Sequence, residues 1–273
     1  RVLIESSYTV VTVDQSATNV SDRQVSRIYS PGTHITEGIQ SNTFVVSVYC
    51  DYETVFLFGI AVVDVSTGET NIHEIAAGNN TMRLEELQRI VLMYAPQEVM
   101  CVFTNACENI HRAEIRKQIC VATVHSTESN DECNRIDYQN AIFTKAFRIQ
   151  SAITAIEFLD MELLNFARAS LAHLLQFCYE HNPDVIDTLN VPQIKHDGKS
   201  LVLHNNAVHQ LGVASNSGEK TLFTIVNKTN TPMGRRLLKS QLLNPMSDQG
   251  DIEKVYDDIE SIVPKLAFYE EQL

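Results

Sequence analysis

The side chains with chemical potential in this 273-residue chain are scattered along it, and each group fails a spacing test. The stretch Gly212-Val213-Ala214-Ser215-Asn216-Ser217-Gly218-Glu219-Lys220-Thr221 comes nearest to a phosphate loop. Such a loop needs a glycine, four residues, then Gly-Lys-Ser/Thr, so that backbone N–H groups wrap a phosphate while the adjacent lysine reaches it. Here five residues separate the glycines, and Glu219 stands between Gly218 and Lys220, where a carboxylate would repel phosphate. The spacing predicts a solvated loop. Cys101-x5-Cys107-x3-His111 is the metal-like cluster, but it lacks the closely spaced cysteine pair of a zinc site and reads as ordinary thiols. The nine histidines show no metalloprotease-type pair with an acid partner, and His173 lies in an apolar helical pattern as a core or rim residue. Ser30 and Ser66 lack the context of a strained nucleophile elbow. No residue is assigned a catalytic, cofactor-binding or metal-ligating role.

The most informative chemistry is cationic. Lys228–Pro245, KTNTPMGRRLLKSQLLNP, carries Lys228, Arg235, Arg236 and Lys239 with no acid, in a chain of net charge −13. It also has a helix start: Thr229 and Thr231 are N-cap types, Pro232 suits the first helical position, and Leu237, Leu238 and Leu242 recur at helical spacing. Pro245 marks the stop. The pattern predicts a helix that buries a leucine stripe and presents a cationic face. The next segment is opposite in sign: Asp248, Asp251, Glu253, Asp257, Asp258, Glu260, Glu270 and Glu271 face only Lys254 and Lys265. That segment should not face phosphates. The overall acidity argues against a general nucleic-acid coat protein, although local patches can still bind one.

Composition sets the frame for these elements. The chain is 44% apolar and 20% charged, enough for real cores, and its length fits about two domains. It has no apolar run of about 18 residues that could span a membrane, and no signal-peptide pattern. It opens on Arg1 in a strand-like run and ends in a helix-like run without a stop signal, so we expect a piece of a longer protein. Six cysteines without framework spacing point to an intracellular, reducing compartment.

Along the chain, Tyr8–Val13 reads as a β-branched strand. Ser30-Pro31-Gly32-Thr33 reads as a turn or linker. Phe44–Tyr49 and Val55–Val65 are strands, the second continuous enough to be buried on both faces. Ser66-Thr67-Gly68-Glu69 is a hairpin turn leading to a return strand over Thr70–Ile75. Met82–Tyr94 is a helix ended by Pro96, Glu98–Phe103 a strand, Ala106–Ile119 a helix and Val121–His125 a strand. From Ile149 the period is helical, with Leu164, Ala167, Leu171, Leu174, Leu175 and Cys178 on one face. Strands alternating with helices after an opening hairpin indicate an α/β layer sheet.

Several of these strings resemble one family. T-x-T-P-M-G-x-R-x-L, here Thr229, Thr231, Pro232, Met233, Gly234, Arg236 and Leu238, followed by Leu243-Asn244-Pro245, is similar to the core or lever domain of MutS-type DNA mismatch repair proteins. Asp14, Gln15, Arg23, Val25, Arg27, Ile28 and then Ser30, Pro31, Gly32 and Thr33 resemble the exit of that family's mismatch-recognition domain. Gly59–Glu69, with Asp64 and Gly68, and Tyr94-Ala95-Pro96-Gln97-Glu98-Val99 resemble its connector domain, which has an RNase H-like fold. Leu201–Asn206 resembles the short approach to the core domain. His204 and Gln210-Leu211-Gly212 depart from the usual acid and Asn-Leu-Glu, which suggests a divergent branch such as the organellar or giant-virus type.

The resemblance implies an RNase H-like α/β connector with a central mixed sheet, followed by the start of a mainly α-helical lever. Its boundaries would be residues 1–34 for the tail of the recognition domain, 35–183 for the connector and 184–273 for the lever. It implies a full-length protein that binds mismatched double-stranded DNA, clamps it as a homodimer or paralogue dimer, uses ATP and Mg²⁺ and recruits a MutL-type partner. Within this segment, Pro31, Gly32, Thr33, Asp64, Gly68, Thr231, Pro232, Met233, Gly234 and Arg236 would be structural motif positions, and the Walker motifs would lie outside it. Two other readings stay open: an RNase H-like metal-dependent nuclease using Asp64 and Glu69, with Asp51 nearby, and a non-enzymatic interaction module.

Overall fold

The structure, a computed structural model, describes residues 3, 8–15, 23–33, 43–119, 121, 123–195, 210–213, 220–243 and 245–265. The chain divides into two compact units, Arg1–Lys195 and His196–Leu273.

The first unit opens with an antiparallel ribbon, β1 (Val10–Gln15) and β2 (Arg23–Tyr29), with a bulge between Thr12 and Val13. The main sheet follows. β3 (Phe44–Tyr52), β4 (Phe56–Asp64) and β5 (Thr70–Ile75) form an antiparallel meander. Helix α1 (Asn80–Tyr94) leads to β6 (Glu98–Phe103), and α2 (Asn109–Gln118) leads to β7 (Val124–Glu128). β6 pairs parallel with β3, and β7 parallel with β6. Helices α3 (Ile136–Ala146) and α4 (Asn165–His181) complete the layers, and β8 (Gln193–Ile194) adds parallel to β5. The sheet order is β7-β6-β3-β4-β5-β8, a mixed sheet with the meander-then-parallel order of an RNase H-like fold.

Both faces of the sheet are covered, which is why the strands read as continuous apolar runs rather than alternating ones. Val46, Val48, Phe58, Ile60, Val62 and Val99 face Leu84, Leu87, Ile90 and Ile115 of α1 and α2. Val45, Ala61, Val63 and Ile72 face Leu171, Leu174, Leu175 and Cys178 of α4, with Phe143 of α3. The α1 helix starts where Asn79 accepts a hydrogen bond from the Met82 N–H, and it stops at Ala95 in the left-handed region just before Pro96.

Several features depart from the sequence reading. The strand expected over Val121–His125 lies instead over Val124–Glu128. It is an edge strand held by backbone pairing, and its polar side chains are met by α2: Arg116 donates to the Ser126 hydroxyl and Arg112 pairs with Glu128. α2 itself starts later than expected, at Asn109. Helix α3 and the two-residue β8 were not anticipated.

The second unit is helical where it is described: α5 (Leu222–Val226), α6 (Pro232–Leu243) and α7 (Gln249–Ile262). The expected leucine stripe of α6 is only partly realised. Leu243 is buried and Leu238 and Leu242 are half-buried, but Leu237 is exposed. The cationic face is broken too, because Lys239 is half-buried, and burial and then the Arg235 charge lower its ammonium pKa. The acidic α7 is capped by Asp248, which accepts from the Asp251 N–H, and leaves Tyr256, Ile259 and Ile262 exposed.

Candidate functional site

The motif positions of the first unit gather at two places, one where the chain comes onto the sheet and one where it leaves. At the first, the turn Ser30–Thr33 docks on a single buried carboxylate. Glu98, the first residue of β6, is wholly buried. Its Oε2 accepts from the Ser30 hydroxyl at 2.7 Å and from the Gly32 N–H at 2.9 Å. Its Oε1 lies 2.5 Å from Nε2 of His125 on β7. Ser30 Oγ and Thr33 Oγ1 are 2.8 Å apart, and Asn182 Nδ2 donates to the Thr33 carbonyl. Gly32 is required by close approach: a Cβ there would lie 2.6 Å from Glu98 Oε2 and 2.7 Å from a Val45 methyl. Pro31 is half-buried in the same turn.

Burial alone raises the Glu98 carboxyl pKa, but the bonds from His125, Ser30 and Gly32 outweigh it and hold it below the usual value. The same bond to Glu98 raises the His125 imidazole against the opposing effect of burial. A buried carboxylate is tolerated here because it is paired and fully bonded.

At the second place, the Asp64–Glu69 turn receives the outgoing chain. Asp64 Oδ1 accepts from the Ser66 N–H and hydroxyl, its Oδ2 accepts from Thr67 Oγ1, and its carbonyl accepts from the Gly68 N–H. Gly68 has φ +76, and a Cβ there would lie 1.9 Å from the Thr188 carbonyl oxygen. The segment after α4 is tied down by Asn190, whose N–H donates to the Gly68 carbonyl and whose Nδ2 donates to the Thr67 carbonyl. Three residues further, β8 joins β5, and the Lys195 N–H donates to Ile72 O.

The nuclease reading would need Asp51 close to Asp64 and Glu69. Asp64 pairs across the hairpin with Phe44, whereas Asp51 pairs with Leu57, at the other end of the same ladder. Seven rungs separate them, roughly 23 Å at the usual rise per residue. Asp51 accepts from Thr104 Oγ1, and Glu69 accepts from Asn71 Nδ2. Asp51 therefore does not join Asp64 and Glu69 at one edge of the sheet. Among the described residues no group of three His, Cys, Asp or Glu is placed to hold a metal. Cys101 and Cys107 lie in the core, and the His111 ring stacks on Tyr52.

In the second unit, Thr231 caps α6. Its Oγ1 accepts from the Gly234 N–H at 3.2 Å, and the Arg235 N–H donates to its carbonyl. The near neighbours of Gly234 are the cap residues: a Cβ there would lie 3.2 Å from Thr231 Oγ1 and 3.5 Å from the Thr229 side chain. Met233 is exposed, Pro232 occupies the first helical position, and Arg236 is half-buried. Arg235 is exposed and lies over the Phe223 ring, 5.8 Å from its centroid. Thr221, the last residue of the near-phosphate loop, caps α5 by accepting from the Thr224 N–H. Residues 214–219 of that loop, together with His204, Leu201–Asn206, Asn244 and Leu266–Leu273, lie outside the described residues.

Sequence reasoning did not single out Glu98 or His125 as partners of the Ser30–Thr33 turn. The available signal was an acid heading the otherwise apolar strand Glu98–Phe103.

The fold and these anchors define an RNase H-like α/β module threaded between other parts of a chain, followed by a helical unit. Residues 199–271 match the family model for MutS domain III. Over 98% of its length the chain is 30% identical to a mutS homologue of Acanthamoeba polyphaga mimivirus, covering 28% of that protein. It is 27% identical to the DNA mismatch repair protein MutS of Caldanaerobacter subterraneus, over 95% of this chain and 29% of the relative. It is 25% identical to the mitochondrial DNA mismatch repair protein mutS homolog of Sarcophyton glaucum, over 94% of this chain and 29% of the relative. The chain belongs to the MutS family of DNA mismatch repair proteins. It spans under a third of the length of these curated relatives. A giant-virus and a mitochondrial homologue are among them, the two branches suggested by the departures at 204 and 210–212.

Proposed function

We propose that this chain is the coupling segment of an ATP-dependent protein that binds mismatched double-stranded DNA as a clamp. In this reading residues 1–34 end the mismatch-recognition domain, 35–183 form the connector, and 184–273 begin the lever. Pro31, Gly32, Thr33, Asp64 and Gly68 fix the connector's chain junctions, and Thr231, Pro232, Met233, Gly234 and Arg236 set the start of a lever helix. ATP and Mg²⁺ act elsewhere in the full-length protein, which works as a homodimer or paralogue dimer in an intracellular compartment. A MutL-type partner docks on the assembly.

The observation that carries this reading is the placement of the two anchors. The incoming turn is held at β6 and β7, the outgoing chain at β5 and β8, on opposite sides of one closely packed sheet. A change of state on one side is thereby passed on through a rigid body, as coupling between two sites requires. The test is Gly68→Val in the full-length protein, measured for mispaired-DNA affinity, ATP turnover and ATP-triggered release. The reading expects affinity and turnover to survive while release slows about tenfold or more. A folded variant with normal release, or a full-length protein with no preference for mispairs, overturns it.

A further inference from the structure

We propose that Glu98 and His125 form a proton-controlled latch on the Ser30–Thr33 turn, tightening when His125 is charged and loosening when it is neutral. The geometry stands on three elements. The turn brings Ser30 Oγ and the Gly32 N–H to one oxygen of a wholly buried carboxylate, and β7 brings His125 Nε2 to the other. Of the groups that act most strongly on this carboxylate, His125 is the one that can carry a charge, beside the Ser30 hydroxyl and the Gly32 N–H. β3 offers Val45, the turn offers only neutral groups, and α4 offers the Cys178 thiol and Phe177, behind which His181 stacks. His125 is therefore the side chain whose charge answers that of Glu98.

That side chain can exchange protons with solvent. The His125 side chain is 34% exposed while that of Glu98 is fully covered. Protonating His125 places a cation against a buried anion and strengthens the charge-assisted bond. Losing that proton leaves the carboxylate with the Ser30 and Gly32 donors and an imidazole that no longer offsets its charge. The His125 value is raised in the folded state, so its contribution is complete below the free-histidine value and is lost as pH rises through the folded one. The Glu98 value is lowered, so its contribution is present above the ordinary carboxyl value and is lost as pH falls below it. The latch is therefore tightest in mildly acidic solution and loosens toward alkaline pH. The device belongs to the first unit alone and does not depend on the repair reading.

The experiment is hydrogen exchange of the whole chain from pH 5.5 to 8.5, corrected for the intrinsic pH dependence of amide exchange. A peptide covering residues 28–34 is compared with one from β4. The expected result is a loss of about tenfold in protection over 28–34 as pH rises, set by one charge-assisted bond, with the β4 peptide unchanged. His125→Gln should be unprotected to the same low level at every pH. An NMR titration of the His125 ring should place its midpoint above that of free histidine. Flat wild-type protection, a His125→Gln variant that keeps the wild-type slope, or a midpoint below free histidine overturns the latch.

Discussion

His73 sits on β5 with Nε2 3.0 Å from the Tyr94 hydroxyl, and its Nδ1 is buried with no partner among the described residues. Burial, then the nearby Arg89 and Lys195 charges, push its pKa down from 6.5 to about 3. The unfolded chain binds a proton at this ring that the folded chain refuses. Stability from a neutral His73 is thus present above pH 6.5 and is lost as pH falls from there toward 3. The slope is at most about 1.4 kcal/mol per pH unit. Urea unfolding at pH 7 and pH 5 should show a larger acid loss in wild type than in His73→Gln, and equal losses would assign the slope to another group. Gly234 gives a second prediction at this scale. The cap hydroxyl 3.2 Å from its would-be Cβ leaves space for a methyl with a small shift, but not for a branched side chain. Gly234→Val should cost about 1–3 kcal/mol in urea. Gly234→Ala should stay within about 1 kcal/mol, because its better helix propensity offsets the crowding. The reverse order would show that α6 is positioned by something other than this cap.

At the scale of elements, α4 is seated by two residues from the sheet beneath it. Glu74 of β5 accepts from the Ala167 N–H at the helix N-terminus, at 2.9 Å. Gly59 of β4 lets the backbone of α4 touch the sheet: a Cβ there would lie 2.0 Å from the Phe166 carbonyl. Gly59→Ala should therefore push the helix off its seat and cost about 3 kcal/mol or more, read as a lowered thermal midpoint with weakened near-UV signal. If the alanine variant melts with wild type, the close approach is wrong. The central strands and α1 were legible in sequence because burial on both faces writes continuous apolar runs, and because the apolar residues of Met82–Tyr94 recur at helical spacing before Pro96. β7 was misplaced because edge pairing is a backbone matter, indifferent to the polarity of Ser126–Glu128. Helix α3 escaped notice because Phe143 and Ala146 are its only buried apolar side chains. The latch could not be read at all. Ser30 and Glu98 are 68 positions apart, Glu98 and His125 another 27, and only the parallel crossover brings them together.

For the molecule as a whole, the boundary of the first unit is the checkable quantity. The chain beyond residue 183 remains part of that unit: Val185 and Ile186 are buried in its core, Asn190 clasps the Gly68 turn, and β8 pairs with β5. A chain ending at Lys195 should fold alone, with the same exchange-protected strands as the longer protein. One ending at Pro183 loses two buried aliphatic residues and the clasp, and should be destabilised by about 3 kcal/mol or more. Comparing their guanidinium unfolding curves decides it, and equal stability would move the boundary back to the end of α4.

The position of the two anchors also fixes how this body would respond to tension. A pull applied through the Ser30–Thr33 turn and through Lys195 acts across the strands rather than along them, from β6 and β7 toward β8. Load in that direction falls on the rungs of a ladder one after another, so the sheet would peel instead of resisting shear. β8 has the fewest rungs and would be drawn off first, while the central β3–β4 pairing, nine residues long on each strand, would yield last. In a single-molecule stretching trace this order would appear as a short extension at low force, followed by the main rupture.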